Sequence, residues 1–390
     1  MASIRRHAAI VGAGHTRFGV LDAGPRELMR EAVDAAVLSV DHGMSTKEIS
    51  EGFLASLGFG GWQIGNSSAA LAEAAGKVGI PVTRVENACA SGGFALRAAV
   101  RAVELGRTDL VLVVGLEKMT DVPSARRRYW LGVSGDTEWE RGAGLTFAGV
   151  YGLLAARYVA DHPNAEEALV AVAVKNHANG SLNPNAHFQK AVTPEAVRAA
   201  PRVAAPLGLY DCCPVSDGAA AVLIARGDQA KRYTDTPVHI VATGAASDSL
   251  AVQERAKLTE FAATHAAART AFLDAEWAND APDLFEVHDC FTIAELLALE
   301  DLGLVARGGA VDLTLSGATA RTGRHPVNPD GGLKAKGHPI GATGVSQAYE
   351  VFLQLREDAD RRQVPGAERA LSHNVGGSGA SATVTLYQRG

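Results

Sequence analysis

The chain predicts an α/β fold made of two related halves, and three observations predict it. Short β-branched or apolar runs alternate with amphipathic helical stretches, which implies βαβ units and largely parallel sheets. A similar run of strands and helices occurs near the start and again after Val238. Between the two lies a stretch of different character, from Glu117 to about Asp211, rich in Gly, Asn, Pro and charge. In sheets of this kind, sites form at the carboxyl ends of strands, where helices begin.

The first half opens with a strand expected at His7–Gly12 and an amphipathic helix at Arg26–Val40. Pro81-Val82-Thr83-Arg84-Val85 then reads as a strand, Glu86 to Ala90 as a sharp turn, and Ser91 to Val103 as a helix. An apolar strand follows at Asp109–Gly115. The stretch from Glu117 to Asp211 holds helical segments at Thr146–Val159 and Glu166–Asn176, and so long an excursion is expected to cover a site. The polar segment Gln229–Pro237 links to the second half. There a strand is expected at Val238–Gly244, a helix near His265–Leu273 and a strand at Leu284–Val287. Helices follow at Thr292–Leu302 and after Gly344, and a last strand runs Ala380–Leu386. The expected organisation is therefore residues 1–116 with 212–228 as one half, 117–211 as an insertion, and 236–390 as the other half.

Composition narrows the function classes. The 390 residues are 47% apolar, enough for a large core in one or two α/β units. A net charge of −6 argues against nucleic acid as the main partner. Cys89, Cys212, Cys213 and Cys290 show no CxxC spacing, so neither a disulfide framework nor a zinc site is expected, and a reducing, cytoplasmic setting is. The opening Met-Ala-Ser-Ile-Arg-Arg-His runs toward a strand rather than a signal core, and no apolar stretch reaches the ~20 residues that span a bilayer. Neither a Walker loop nor a Gly-x-Gly-x-x-Gly after the first strand is present, so no tightly bound nucleotide cofactor is expected, and no metal.

Four segments carry chemistry. Cys89 lies at a strand–turn–helix junction among small residues, where free N–H groups and the helix dipole favour a thiolate. His288-Asp289-Cys290-Phe291 follows an apolar strand and precedes a helix, a position that could lower the Cys290 pKa. Gly-Gly-Leu-Lys-Ala-Lys-Gly-His-Pro-Ile-Gly-Ala-Thr-Gly runs from Gly331 to Gly344 and centres on His338. Leu371-Ser372-His373-Asn374-Val375-Gly376-Gly377-Ser378-Gly379-Ala380 stands before the last strand. A thiol, several imidazoles and glycine-rich amide donors are the parts of an acyl-transfer site. Each also has a plain structural reading: buried cysteines, satisfied loop histidines, ordinary glycine turns. Cys212 and Cys213 read as packing beneath the site, and Arg126, Arg127 and Arg128 as a solvated face or a grip on a coenzyme phosphate.

In this order and at these separations, the four segments resemble the thiolase superfamily. Cys89-Ala90-Ser91-Gly92 is similar to its nucleophile element, and Gly337-His338-Pro339 with the Ile-Gly-Ala-Thr-Gly tail to its Gly-His-Pro loop. The resemblance implies duplicated halves in a layered α-β-α-β-α core with a loop insertion over the active site. Two departures place it. His288-Asp289-Cys290-Phe291 stands where thiolases usually have Asn-Glu-Ala-Phe, and Asn374-Val375-Gly376 where they have a second catalytic cysteine. Both resemble the sterol-carrier-protein-x, or lipid-transfer-protein, type. Lys175-Asn176-His177, Asn183-Pro184 and His373-Asn374-Val375-Gly376-Gly377 are most similar to bacterial and archaeal members.

The resemblance implies cleavage of a 3-oxoacyl-CoA with coenzyme A, or the reverse condensation, through an acyl group on Cys89. It implies His338 as activator of the thiol and the amides of Cys89 and Gly376 as oxyanion hole. His288 is expected at the enolate oxygen, and Cys290 replaces the missing acid/base. Phe291, Asn374 and Phe147 are expected to bind substrate. The implied partners are acyl-CoA, a second copy of the chain meeting near Tyr129–Arg141, and a small zinc-ribbon/OB-fold subunit. Transfer to a non-CoA acceptor, retro-aldol cleavage and an inactive lipid-binding scaffold remain as alternatives.

Overall fold

The computed structural model describes residues 8–62 and 65–390. The first half runs β1 (Ala8–His15), α1 (Pro25–Leu38), β2 (Glu51–Ala55), α2 (Ser67–Ala74), β3 (Val82–Val85), α3 (Ser91–Glu104) and β4 (Leu110–Glu117). The excursion holds α4 (Ser124–Gly132), α5 (Phe147–Asp161), α6 (Ala165–Gly180), α7 (Pro194–Ala199), and the hairpin of β5 (Arg202–Ala204) and β6 (Leu207–Gly208). The chain rejoins the first half as β7 (Gly218–Arg226). The second half runs β8 (Val238–Ser247), α8 (Ala262–Ala275), β9 (Leu284–Glu286), α9 (Thr292–Asp301), α10 (Gly309–Leu315), α11 (Gly332–Ala335), α12 (Thr343–Arg356), β10 (Arg369–Gly376) and β11 (Ser381–Arg389). His7, expected to open the first strand, lies outside the described residues.

Nine strands form one sheet in the order β3-β2-β4-β7-β1-β8-β11-β10-β9. The halves meet where Ala8–Ile10 pairs antiparallel with Val238–Ile240. Outward from that seam the order repeats: β1, β7, β4, β2 on one side and β8, β11, β10, β9 on the other. A parallel bridge between Phe285 and Val327 occupies the place beside β9 that β3 occupies beside β2. The turn from β3 into α3 therefore corresponds to the stretch from Val327 into α12.

The expected largely parallel sheet is corrected to a mixed one. β2 runs parallel to β3 and β4, and β10 to β9, but the remaining pairs are antiparallel. Connection is the cause. A tight turn after Gly376 forces β11 to return antiparallel to β10. β7 comes back from the excursion between β4 and β1, antiparallel to both. The segment expected only to precede the last strand is itself mostly the strand β10; its Ser, His, Asn and Gly residues disguise a strand whose side chains are almost all buried.

Strands are covered on both faces, which is why β4 and β7 read as continuous apolar runs. Val111 and Val113 of β4 face one cluster, and Leu110, Leu112 and Val114 face another. The first of these clusters also takes Ile240, Leu284 and Tyr387 from the second half, with Leu96 and Val100 of α3 and Val345 and Phe352 of α12. So α3 and α12 lie between the two half-sheets, α1 covers the outside of the first, and α8 the outside of the second. This is the layered α-β-α-β-α arrangement that the sequence predicts.

The starts of α3 and α12 touch backbone to backbone. A Cβ built on Gly92 comes within 2.8 Å of Gly344 N and Cα, and one built on Gly344 within 2.4 Å of Gly93 N. Only glycine fits there. Gly344→Ala is predicted to cost about 1–3 kcal/mol through overpacking, read as a lowered unfolding midpoint in denaturant. Gly24→Ala, where nothing lies within 4 Å of the added carbon, is the control and leaves the midpoint in place.

Candidate active site

Cys89 sits at the tip of the turn between β3 and α3. Ala88, just before it, is held at φ +48°, a left-handed conformation that is unfavourable for alanine. Ser91 stabilises the turn: its Oγ accepts from Asn87 N at 2.9 Å and donates to Ala88 O at 2.6 Å. The corresponding loop of the second half presents His338. Its Nδ1 hydrogen-bonds Thr343 Oγ1 at 2.6 Å, which leaves Nε2 for other partners. The buried Glu117 carboxylate ties that loop to the first half, accepting from Leu57 N and Gly341 N at 3.0 Å each. His288 follows β9, and its neighbour Asp289 anchors the strand end. The Asp289 carboxylate accepts from Leu333 N at 2.6 Å and from Asn176 Nδ2 at 2.7 Å, reaching α11 and α6.

These elements bring Cys89, His288 and His338 together. The Cys89 sulfur and one nitrogen of each imidazole all lie within 4.8 Å of one another. The two rings stand edge to face, with centroids 5.1 Å apart and planes at 86°. His288 Nδ1 lies 3.3 Å from Asn374 Nδ2, and its Nε2 is buried without a partner among the described residues. In chemical type the three groups are donors for a thiophilic ion, but among the described residues no carboxylate or fourth ligand joins them.

Burial dominates the electrostatics. It lowers His338 to about 3, with Lys336 adding to the effect, and lowers His288 well below 6.5, so both imidazoles are neutral near pH 7. Burial first, and Cys213 next, raise the Cys89 thiol to about 12, against a backbone hydrogen bond from Gly377 that favours the thiolate. Burial likewise pushes Cys290 well above the ordinary thiol range, against its hydrogen bond with Tyr151. The expectation that helix starts lower both thiols is therefore corrected. Loss of water outweighs the fractional charge of a helix end.

The site opens on a cavity of about 630 Å³. Cys89, His338, Cys290, Phe291 and Phe147 line it, with Cys212, Cys213 and Gly377, so all four cysteines meet at one cavity. The excursion contributes Ala125, Tyr129, Leu131 and Phe147 to the wall, covering the site as the sequence suggests. Arg128 and Arg141 are charged groups in a mostly apolar lining, and the Arg141 guanidinium lies 4.1 Å over the Tyr129 ring.

One expected site residue stands apart from the cavity. Asn374 is not in the wall but behind it, donating to Gln347 Oε1 at 3.1 Å and accepting from Gly93 N at 3.3 Å. Gly376 pairs with Ser381 at the end of the ladder and packs against the Cys89 turn, where a Cβ built on it would come within 2.5 Å of Asn87 O and 3.4 Å of Ala90 Cβ; the next residue, Gly377, lines the cavity. Strand alternation turns His373 to the opposite face, where its Nε2 meets Thr264 Oγ1 of α8 at 2.9 Å. Tyr151 carries no motif that would have singled it out, and Gly377, though inside the fourth segment, has nothing to distinguish it from its neighbours. Tyr151 falls in the apolar pattern of α5, and Gly377 is one glycine among several.

The first-half residues 8–228 match the family model described as "Thiolase, N-terminal domain", and residues 244–389 match "Thiolase C-terminal domain-like". The chain belongs to the thiolase family. A protein named acetyl-CoA acetyltransferase from Methanothermobacter thermautotrophicus is 43% identical over 98% of this chain and 100% of its own length. Sterol carrier protein 2 of Gallus gallus is 34% identical over 100% of this chain and 73% of its own. A solved structure described as an Ltp2-ChsH2(DUF35) aldolase superposes with a TM-score of 0.83 at 22% identity, covering 98% of both chains, and shows the shared fold. The chain is a thiolase-type acyltransferase, and no helix among its described residues is long and apolar enough to cross a membrane.

The neutral buried imidazoles make the fold acid-sensitive. His288, His338 and His373 hold a proton less readily when folded than at the ordinary 6.5. Unfolded chain therefore takes up protons below pH 6.5 that folded chain does not, and stability falls as pH falls from there toward 3. Each such histidine contributes a loss of about 1.4 kcal/mol per pH unit in that window. Denaturant titrations between pH 7 and pH 5 are expected to show the midpoint dropping, and replacing His373 by Gln to reduce the slope.

Proposed function

We propose that this thiolase cleaves a 3-oxoacyl-CoA with coenzyme A, or runs the reverse condensation, through an acyl group carried on Cys89. The observation that carries the reading is the convergence of the Cys89 sulfur and the His288 and His338 nitrogens within 4.8 Å, beside Cys290 and a large apolar cavity. The names of the relatives support the coenzyme A thioester as carrier.

In the cleavage direction, the neutral Cys89 thiol passes its proton to neutral His338 as the sulfur attacks the 3-oxo carbon. The high thiol pKa keeps Cys89 uncharged until substrate arrives, and contacts of this length tighten once substrate is bound. The developing oxyanion takes hydrogen bonds from the Cys89 amide and the Gly376–Gly377 turn. The bond between the α and 3-oxo carbons breaks. The departing enolate oxygen faces the unpartnered His288 Nε2, and its α-carbon takes a proton from Cys290. Coenzyme A thiol, giving its proton to the Cys290 thiolate, then attacks the Cys89 thioester; the departing Cys89 sulfur takes back the proton held on His338, and the shortened acyl-CoA leaves. Phe291 and Phe147 contact the acyl chain, with Asn374 acting through His288. The excursion between β4 and β7 serves as a lid.

The same reading has the chain working in the cytoplasm, where its four free cysteines stay reduced. It assembles with a second copy near the exposed Tyr129 and Trp139, and with a small subunit of zinc-ribbon/OB-fold type, a reading supported by the DUF35 component named in the structural neighbour.

Intact-protein mass spectrometry after incubation with acyl-CoAs and 3-oxoacyl-CoAs tests the reading. The native chain is expected to gain one acyl mass, and Cys89→Ala none, with its fold retained. Cys290→Ala is expected to acylate normally yet lose carbon–carbon cleavage by roughly 10²-fold or more. Acylation of the Cys89→Ala protein would assign the nucleophile elsewhere, and unchanged turnover of Cys290→Ala would pass the acid/base role to a histidine. Carbon–carbon cleavage without any acyl adduct would favour retro-aldol chemistry.

A further inference from the structure

We infer that Tyr151 is a positioning residue for acyl transfer: its hydroxyl fixes the Gly377 carbonyl, and with it the turn that lines the cavity beside Cys89 and Cys290. The inference rests on the acyl-transfer reading above.

Tyr151 lies on α5, so it belongs to the excursion and not to either half. It is 0% exposed. Its ring stacks on Phe291, with centroids 4.5 Å apart and planes at 21°, and its edge packs on Phe261 at 6.4 Å and 84°. Phenylalanine would fill that slot equally well. A hydroxyl in such surroundings is costly unless it is hydrogen-bonded. This one donates to Gly377 O at 3.3 Å.

Gly377 occupies a left-handed conformation, φ +60°, in the turn between β10 and β11. Glycine turns are free to reorient unless anchored. Here two anchors act on adjacent residues. Tyr151 takes the carbonyl of Gly377, and Arg255 donates to Ser378 O at 2.5 Å and to Ser378 Oγ at 3.3 Å. The turn held this way lines the cavity together with Cys89 and Cys290. One hydroxyl thus links the lid helix to the turn that lines the cavity beside both thiols, and a lid that shifts α5 would loosen that turn.

Tyr151→Phe separates packing from positioning, because it keeps the ring and its stacking on Phe291 and removes only the hydroxyl. Three quantities are measured on the full chain with acetyl-CoA and a 3-oxoacyl-CoA. These are single-turnover acylation of Cys89 by mass spectrometry, steady-state kcat and KM, and exchange of acetyl α-protons with deuterated solvent. The expected result is about a tenfold or greater drop in kcat, acylation and exchange, with KM changed by less than about threefold and the unfolding midpoint unchanged. A Tyr151→Phe protein whose acylation, exchange and kcat all stay within about twofold of the native chain would overturn the inference, since a packing role survives the loss of the hydroxyl. Failure of the native chain itself to acylate is a different result and would overturn the acyl-transfer reading instead.

Discussion

The close approach of two helix starts organises this molecule. α3 and α12 meet at Gly92 and Gly344 with no side chain between them, sandwiched between half-sheets that bury both faces of their strands. Each helix is preceded by a short loop carrying a reactive side chain, Cys89 before one and His338 before the other. Because the helices touch at their first turns, the loops have nowhere to go but into one another's reach. The pairing of nucleophile and imidazole is thus a consequence of packing in the middle layer.

Around that contact, buried carboxylates act as backbone clamps. Glu117 gathers amides from the end of β2 and from the His338 loop, and Asp289 gathers amides from α11 and a side chain from α6. Each uses a charge to satisfy N–H groups that the irregular loops leave unpaired. The cost of burial appears in Asp289, whose carboxyl is raised to about 7, by burial first and by nearby Glu295 next. The same dryness keeps the thiols and imidazoles of the site neutral. Chemistry here begins from uncharged partners and generates ions only alongside a substrate able to stabilise them.

Much of the site was legible in the chain, because its residues are concentrated in short motifs. Cys89 among small residues, His288-Asp289-Cys290-Phe291 and the glycine-rich run to Gly344 each announce a strand end or a helix start. What those motifs conceal is geometry of a residue or less. Whether Gly376 or Gly377 presents its amide depends on where the β10/β11 ladder ends. Whether Asn374 or His373 approaches the site depends on strand alternation, and Asn374 proves to stand behind His288 rather than beside the cavity.

By itself the sequence determined the two-half α/β architecture, the position of the long excursion and which side chains the site brings together. These rest on local periodicity and on residue types that only certain turns and chemistries require. The tertiary structure alone decided three things. It made the sheet mixed, because strand direction follows from how β7 and β11 re-enter. It brought the Tyr151 hydroxyl onto the Gly377 carbonyl, a pairing between distant residues that leaves no local signature. And it set the protonation of the thiols and imidazoles, because the water removed from a buried group depends on everything packed around it and not on its neighbours along the chain.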